Sequence, residues 1–354
     1  MSNASISQSK IVSCLGFPKF TARERRDSFL IYDKNLEKFI PDFNLWIKGF
    51  PNRQAVLAGE KLKSLKSFQK FLESHNSQFS KIQKPHGALI VVGGGSVGDF
   101  GGFVASVLRR GVPLIHVPST WLASIDSAHG GKTALNVLGV KNQIGSFYPA
   151  KKIVFSKKIL FAQKEERWRE ALSEAVKILM LSPLNHFKKL KVCAENPQAF
   201  FNCIEDLARL KMKIVDRDPL EQNGHRYLLN LGHTFGHIVE SAKKLPHGKA
   251  VALGLAFALE FSLFKKHLNF KNFEKLSYAL QLFCPQVTMK SLPSGKKSPL
   301  ISFGHAERLL NFDKKNASHN SVNFVLIQDF GRGKVVPVLK KDLLKFAKQK
   351  GYLR

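Results

Sequence analysis

The chain has few cysteines, no long apolar run and few acidic residues for its length. Its four cysteines are widely separated among 354 residues, and no two form a C-x-x-C pair. This spacing argues against a disulfide framework and a thiolate zinc site, and it fits a reducing compartment. No run of about 18 apolar residues occurs, as expected of a soluble protein. The first residues lack the pattern of a secretory signal, so we expect a cytoplasmic protein without a membrane partner.

Acidic residues are outnumbered by basic ones, 26 to 56, which gives a net charge of +30. One hypothesis is nucleic-acid binding, because phosphates attract clustered Lys and Arg. The basic residues are nevertheless scattered along predicted helix faces, without a long basic block or interleaved aromatic residues. We therefore favour a solvated basic surface over a nucleic-acid partner. Such a surface would attract an acidic small substrate.

The first part of the chain alternates β-rich apolar runs with helical stretches. Strands are predicted over 29–32, 55–57, 88–92, 113–117 and 152–155, and helices over 36–46, 60–74 and 96–110. The run at 88–92 is continuously apolar, as in a strand buried on both faces of a parallel sheet. The alternation predicts a Rossmann-like α/β domain over residues 1–158.

Helical periodicity dominates the rest of the chain. Helices are predicted over 166–181, 197–215, 227–244 and 249–266, with one strand over 321–327. These segments predict a mainly α-helical second domain over residues 159–354. The natural place for an active site is the cleft between two such domains.

A glycine-rich turn follows the most apolar strand and opens a helix. Residues 93–98 read Gly-Gly-Gly-Ser-Val-Gly and satisfy G-x-G-x-x-G. Glycines let the backbone approach a pyrophosphate, and a helix N-terminus supplies N–H donors, so the turn indicates a dinucleotide. The alternative is a turn that binds nothing. The turn follows the third predicted strand rather than the first, unlike the usual Rossmann order.

Residues 126–142 form a long polar segment that contains glycines and follows a predicted strand. Two lysines and an asparagine here, Lys132, Lys141 and Asn142, suit the binding of a phosphate or polyol. The alternative is a solvated surface loop.

Arg226, Asn230, His233 and His237 are spaced by four, three and four residues. On one continuous helix this spacing would place all four side chains on one face. His233 and His237 can then be interpreted as two ligands on one helix, completed by His247 and a carboxylate. The alternative is one satisfied histidine and one exposed histidine.

Glu174 is the candidate carboxylate. Glu174 and Lys177 share a predicted helix face with few other charges, among Leu, Ala, Val, Ile and Met residues. This setting predicts that the two side chains are buried beside each other.

Taken together, these residues resemble the 3-dehydroquinate synthase family of the shikimate pathway, within the sugar-phosphate cyclase superfamily. The matching segments are 93–99, 110–112, 117–120, 126–142 and 226–237, in family order within roughly 28–330. The resemblance implies a lyase that converts 3-deoxy-D-arabino-heptulosonate 7-phosphate to 3-dehydroquinate and phosphate. The implied steps are transient oxidation by NAD, β-elimination of phosphate, re-reduction and intramolecular aldol closure.

The resemblance also implies roles for individual residues. The zinc ligands, with cobalt as an alternative metal, are Glu174, His233 and His247, so that His237 faces the substrate instead. Catalytic roles fall to Asp126, Lys132, Lys177 and His237. Substrate-binding positions are Arg110, Lys211, Arg226, Asn230 and Lys315, with Arg110 reaching the neighbouring subunit of a homodimer. NAD contacts are implied for Asp33, Glu60, Lys63, Gly94, Gly95, Asp99, Thr120, Lys141 and Asn142.

The sequence departs from the family at four points, one of which is Ala171-Leu-Ser-Glu174, where the family has Gly-Leu-Ala-Glu. Lys249 replaces the usual glutamate after His-Gly, His129 replaces a small or aliphatic residue, and one extra residue lies between Glu221 and Arg226. Rival hypotheses are another sugar-phosphate cyclase and a metal-dependent alcohol dehydrogenase of the glycerol dehydrogenase type. A more remote rival is a basic nucleic-acid-binding protein on a retired enzyme fold.

Overall fold

The computed structural model describes residues 9–83, 85–285, 301–311, 318 and 320–354. The chain divides into two compact units. Unit one comprises Met1–Arg167 and Ile204–Met212, and unit two comprises Trp168–Cys203 and Lys213–Arg354. The predicted domain boundary at residue 158 stays a prediction.

Unit one contains eight strands among its described residues. They are β1 (Lys10–Cys14), β2 (Phe29–Asp33), β3 (Arg53–Val56), β4 (Leu89–Gly93), β5 (Leu114–Pro118), β6 (Lys132–Val137), β7 (Val140–Phe147) and β8 (Lys152–Ser156). Its helices are α1 (Ala22–Arg26), α2 (Leu36–Phe39), α3 (Phe43–Lys48), α4 (Leu65–Phe79), α5 (Gly95–Val107), α6 (Trp121–Ile125) and α7 (Lys157–Leu160).

Six of these strands form one parallel sheet in the order β1-β8-β5-β4-β2-β3. Every residue of β4 is buried, as the continuously apolar run predicted. The chain passes outward from β2 to β3 and then returns to β4 on the other side of β2. The carboxyl ends of β2 and β4 therefore flank the point where strand order reverses, which is the usual ligand-binding edge of such a sheet. The predicted Rossmann-like class is confirmed.

Several sequence-based element predictions for unit one were wrong. The helix predicted over 36–46 is two short helices, α2 and α3, because Pro41 cannot continue a helix and Asp42 adopts a left-handed φ of 60°. The helix predicted from residue 60 begins at Leu65, where the Ser64 hydroxyl accepts a hydrogen bond from the Ser67 N–H. Strand β1 was missed, so the glycine turn follows the fourth strand.

The polar segment 126–142 is not a loop throughout. Strands β6 and β7 pair in an antiparallel hairpin. Leu138 and Gly139 connect them with φ values of 49° and 79°, as a two-residue hairpin turn requires. Thr133 packs close to α5, since a Cβ at Gly102 would lie 2.4 Å from its methyl carbon.

Unit two is mainly helical. Its helices are α8 (Glu166–Met180), α9 (Leu184–Leu190), α10 (Pro197–Val215), α11 (His233–Lys243), α12 (His247–Phe264), α13 (Phe270–Phe283), α14 (Phe303–Asn311) and α15 (Lys340–Gln349). The first two residues of α8 and the middle of α10 belong to unit one. Strands β9 (Ser321–Asp329) and β10 (Arg332–Leu339) form an antiparallel hairpin. The predicted helical class of this part is confirmed.

Helix α12 is the central helix of unit two. It is apolar and long enough to cross a membrane by length and composition, but 67% of that window is buried in the structure. Phe257 on α12 stacks on Phe235 of α11, with ring centroids 4.1 Å apart, and packs edge-on against Phe346 of α15. Aromatic pairs of this kind add to the burial of apolar surface, so α12 serves as a core helix.

The helix predicted over 227–244 was also wrong. Residues Arg226–Asn230 form a 3₁₀ turn, the chain extends at Leu231, and a new helix starts at His233. Gly232 has a φ of 78°, and a Cβ there would lie 2.8 Å from the Leu255 nitrogen. The four polar residues spaced from Arg226 to His237 therefore do not share one helix face.

Candidate active site

Three side chains from three helices of unit two converge on one point. Glu174 lies on α8, and His233 and His247 are the first residues of α11 and α12. Their candidate ligand atoms all lie within 4.8 Å of one another. The Nε2 atoms of His233 and His247 are 3.3 Å and 3.5 Å from Glu174 Oε1. The structure thus brings together the three ligands that the family resemblance implied.

Glycines allow the helices to approach this closely. A Cβ at Gly248 would lie 2.2 Å from the Glu170 carbonyl oxygen, so the start of α12 rests on the backbone of α8. A Cβ at Gly254 would lie 1.8 Å from the Gly232 carbonyl oxygen. Larger residues would push α12 away from α8 and separate His247 from Glu174.

Both imidazoles are held by their Nδ1 atoms. His233 Nδ1 lies 3.2 Å from the Leu231 carbonyl oxygen, and His247 Nδ1 lies 3.1 Å from Glu240 Oε2. Since both partners are acceptors, each Nδ1 carries the proton and donates. Nε2 is then the nitrogen of each ring that faces Glu174.

Glu174 is fully buried beside Lys177, which forms an ion pair with its Oε2. Burial alone would raise the pKa of the Glu174 carboxyl, but the Lys177 ammonium and His233 hold it well below its ordinary range. Among the described residues, neither carboxylate oxygen has a hydrogen-bond partner of good geometry. A buried, ionised carboxylate with two imidazole Nε2 atoms is a donor set that fits Zn²⁺ with an open fourth position.

His247 shows how strongly this site favours a cation. Burial would lower the pKa of His247, but its contacts with the carboxylates of Glu174 and Glu240 raise that pKa to about 10. The added proton sits on Nε2, between the ring and Glu174. A metal ion at this point would take the place of that proton.

His237 lies outside this group. It follows His233 by one turn of α11, and the two ring centroids are 5.4 Å apart. Unlike His233, it is only partly buried. This placement favours the set Glu174, His233 and His247 over a ligand pair on one helix.

The glycine-rich turn of unit one has the geometry of a phosphate cradle. Gly94 caps α5, and a Cβ there would lie 3.0 Å from the Thr120 methyl carbon. A Cβ at Gly95 would lie 3.4 Å from Ser127 Oγ, so larger residues would fill this space. Asp33 ends the neighbouring strand β2, at the same edge of the sheet. The first turn of a helix can bind a pyrophosphate, and a neighbouring carboxylate can bind a ribose. Together these two features fit a dinucleotide.

Four residues with implied NAD contacts are linked to the β6–β7 hairpin. The buried Lys63 donates to Asp99 Oδ2 and to Asn142 Oδ1, each at 2.6 Å. Burial raises the pKa of Asp99, although Lys63 opposes the shift. Asn136 was not singled out from the sequence, yet its Nδ2 donates to Glu60 Oε2 at 2.7 Å and its Oδ1 accepts from the Asn142 N–H. Asparagine is depleted in strands, so its presence in this β-rich segment was the signal that could have drawn attention to Asn136.

Two anion-binding candidates have well-defined partners. Lys211 donates to the carboxylate and to the backbone carbonyl of Asp126, each at 2.5 Å, within unit one. In unit two, the buried Arg226 donates to the Pro219 carbonyl oxygen at 2.8 Å. Asp218 was not singled out from the sequence. Its carboxylate accepts from the N–H groups of Gln222, Asn223 and Arg226, and so holds the loop that contains the extra residue.

The remaining candidates are more exposed. Arg110 has a left-handed φ of 59° at the end of a 3₁₀ turn after α5. Lys132 and Lys141 are exposed on the hairpin, and Asn230 is half-buried on the turn before α11. Lys315 lies outside the described residues.

Comparisons with known proteins match this architecture. A 2-deoxy-scyllo-inosose synthase, solved with carbaglucose-6-phosphate, NAD⁺ and Co²⁺, superposes with a TM-score of 0.76 at 21% identity, covering 93% of this chain and 92% of the other. The 2-epi-5-epi-valiolone synthase of Streptomyces hygroscopicus, solved with NAD⁺ and Zn²⁺, gives a TM-score of 0.78 at 17% identity, covering 99% and 98%. The fold is that of the sugar-phosphate cyclases.

Sequence comparisons narrow this class. The family models described as 3-dehydroquinate synthase N-terminal and C-terminal match residues 53–170 and 171–316. The 3-dehydroquinate synthase of Endomicrobium trichonymphae is 33% identical over 329 residues, covering 89% of this chain and 86% of the relative. The chain belongs to the 3-dehydroquinate synthase family.

Proposed function

We propose that the protein is a zinc- and NAD-dependent 3-dehydroquinate synthase. Its reaction converts 3-deoxy-D-arabino-heptulosonate 7-phosphate to 3-dehydroquinate and inorganic phosphate. The observation that carries the proposal is the buried, ionised Glu174 facing the Nε2 atoms of His233 and His247. Family membership and the glycine turn at the switch point of the sheet support it. When bound, zinc polarises substrate oxygens as a Lewis acid and NAD accepts and returns a hydride.

The side chains of unit two would bind and orient the reacting sugar. Arg226 binds the substrate carboxylate, because a guanidinium matches a planar anion through two parallel hydrogen bonds. His237 faces the substrate and exchanges protons through its imidazole. Lys177 holds Glu174 ionised, and Asn230, with Lys315, binds the phosphate.

The candidates in unit one divide between substrate and cofactor. Lys211, fixed by Asp126, supplies a second cation for the carboxylate, and Lys132 supplies one for the phosphate. The glycine turn and Asp33 would hold the pyrophosphate and a ribose of NAD. Holding one reactive molecule in a fixed orientation, away from water, is the protein's main contribution to such a sequence of steps.

The activity has a direct test. Purified protein loaded with zinc and NAD should release inorganic phosphate from the heptulosonate phosphate without net accumulation of NADH. His247→Ala should lose both zinc and phosphate release, whereas His237→Ala should keep zinc and lose most of the turnover. His86→Ala, at an exposed histidine of unit one, is the control and should change neither. No phosphate release by protein that holds both zinc and NAD would overturn the assignment and favour another cyclase.

We also propose a cytoplasmic homodimer in which Arg110 serves the site of the partner subunit. Arg110→Ala and His247→Ala should each be inactive alone. After subunit exchange, mixed dimers contain one intact site, so about a quarter of the wild-type activity should return. Continued inactivity of a mixture shown to contain mixed dimers would contradict the role of Arg110.

A further inference from the structure

Glu240 lies at the metal centre but is not among its three candidate ligands. It is on α11, two turns after His233, and its Oε2 is 3.1 Å from Nδ1 of His247 at the start of α12. The opposite nitrogen of the same ring points at Glu174 Oε1. One imidazole therefore links the carboxylate of Glu240 to the position of the metal.

His233 and His247 differ in the acceptor that each Nδ1 contacts. His233 donates from Nδ1 to a backbone carbonyl, which is a neutral acceptor fixed by the chain. His247 donates to a carboxylate on a different helix. Both side chains of this second pair are only partly exposed, 26% for His247 and 35% for Glu240, so solvent does not fully screen their interaction.

We propose that Glu240 is a positioning residue for the metal centre. Its carboxylate fixes the Nδ1–H tautomer and the ring orientation of His247, and it increases the electron density that Nε2 offers to a cation. It also joins α11 to α12, so that both histidine ligands are aligned by one contact. This inference rests on the metal site of the proposed function.

The test measures metal affinity directly. Glu240→Ala and Glu240→Gln are compared with the wild type by competition for Zn²⁺ against a chromophoric chelator. Glu240→Ala should raise the zinc dissociation constant about 10- to 100-fold. Glu240→Gln should show a smaller increase, because an amide oxygen still accepts from Nδ1–H but carries no charge. Glu274→Gln, at an exposed glutamate of α13, is the matched control and should bind zinc like the wild type.

Two further measurements separate positioning from folding. The visible absorption bands of the Co²⁺-loaded protein should change in Glu240→Ala and move back toward the wild type in Glu240→Gln. Unfolding of the metal-free proteins should show that all variants remain folded. Wild-type zinc affinity in both Glu240 variants would overturn the proposal, as would equal losses in Ala and Gln. Because no substrate is used, these outcomes are independent of whether phosphate release is observed.

Discussion

At the scale of single residues, the structure shows what Lys249, which departs from the family pattern, means for the candidate metal site. A lysine in place of the usual glutamate after His-Gly raises the expectation of a weakened metal site. In the structure the Lys249 side chain is exposed, and the acceptor for His247 is Glu240 on α11. The carboxylate that supports His247 comes from another helix, so the substitution does not remove it.

His129, another departure, is a buried structural residue. Its Nε2 donates to the Ser124 carbonyl oxygen at 2.7 Å, and its ring packs on Phe155 with centroids 5.9 Å apart. Burial lowers the pKa of His129 to about 3. Burial likewise lowers the pKa of His116, on β5, to about 4. Both imidazoles therefore stay neutral in the folded protein at pH values where they are charged in the unfolded chain.

The lowered pKa values of His116 and His129 predict that the stability of the protein depends on pH. Below the ordinary histidine pKa of 6.5, the unfolded chain binds two protons that the folded chain excludes until pH falls to about 4 and about 3. Stability should thus fall as pH decreases from about 6.5 to 5, with a slope approaching roughly 2.7 kcal/mol per pH unit for two protons. Denaturant unfolding at several pH values measures this slope.

The control for the pH prediction is the exposed His86. Replacing His116 and His129 together by glutamine should flatten the slope over this range if the double variant folds. His86→Gln should leave the slope unchanged. A wild-type stability that is constant between pH 5 and 6.5 would contradict the neutral buried histidines.

At the scale of elements, the first residues of two helices determine the positions of the histidine ligands. His233 and His247 are each the first residue of a helix, so their positions depend on where α11 and α12 begin. The break at Gly232 determines where α11 starts, and the close approach of Gly248 to α8 determines where the start of α12 lies. The spacing of polar residues from Arg226 onward predicted one helix, and Gly232 was a local signal of the break.

Gly248→Ala tests this dependence on helix approach. A Cβ 2.2 Å from the Glu170 carbonyl oxygen must move α12 or α8, because neither partner is a flexible side chain. We expect a loss of roughly 1–3 kcal/mol in stability and weaker zinc binding. Denaturant unfolding and zinc competition measure the two effects.

Gly304 provides the matched control for this substitution. It lies in α14 of the same unit, and a Cβ there would meet nothing within 4 Å. Gly304→Ala should leave zinc affinity unchanged and stabilise the helix by up to about 1 kcal/mol. Equal effects of the two alanines would show that helix approach at Gly248 does not set the site.

At the scale of the whole molecule, the charge of +30 predicts salt-dependent catalysis. The proposed substrate carries a carboxylate and a phosphate, so a positive protein should increase its rate of encounter. Salt screens this attraction, because the Debye length falls from about 10 Å at 0.1 M to about 3 Å at 1 M. We expect kcat/KM to fall several-fold over this range, with a smaller change in kcat.

Steady-state kinetics at constant pH would measure this dependence. Comparing chloride with a second monovalent salt separates screening from specific anion binding. A kcat/KM that does not change with ionic strength would show that the positive charge does not steer the substrate. A salt-sensitive shift of DNA mobility would instead support the nucleic-acid hypothesis, which the scattered charges disfavour.

The sequence by itself determined the classes of segment and supplied the residues that are proposed to react. Apolar periodicity predicted the buried strands of the sheet, since burial on both faces requires a continuous apolar run. The motif order pointed to the family, and that resemblance implied the set Glu174, His233 and His247, which the structure brings together. These inferences depend on local pattern and on residue type, both of which are visible in one dimension.

Only the tertiary structure decided how those residues are held. The break before His233 and the edge strand β1 depend on partners distant in sequence, so local propensity did not reveal them. The Glu60 partner of Asn136 is likewise distant in sequence, whereas Asp218 accepts from backbone N–H groups that follow it closely. The contact of Glu240 with His247 exists because α11 and α12 pack side by side, and no spacing rule predicts which carboxylate then faces which ring.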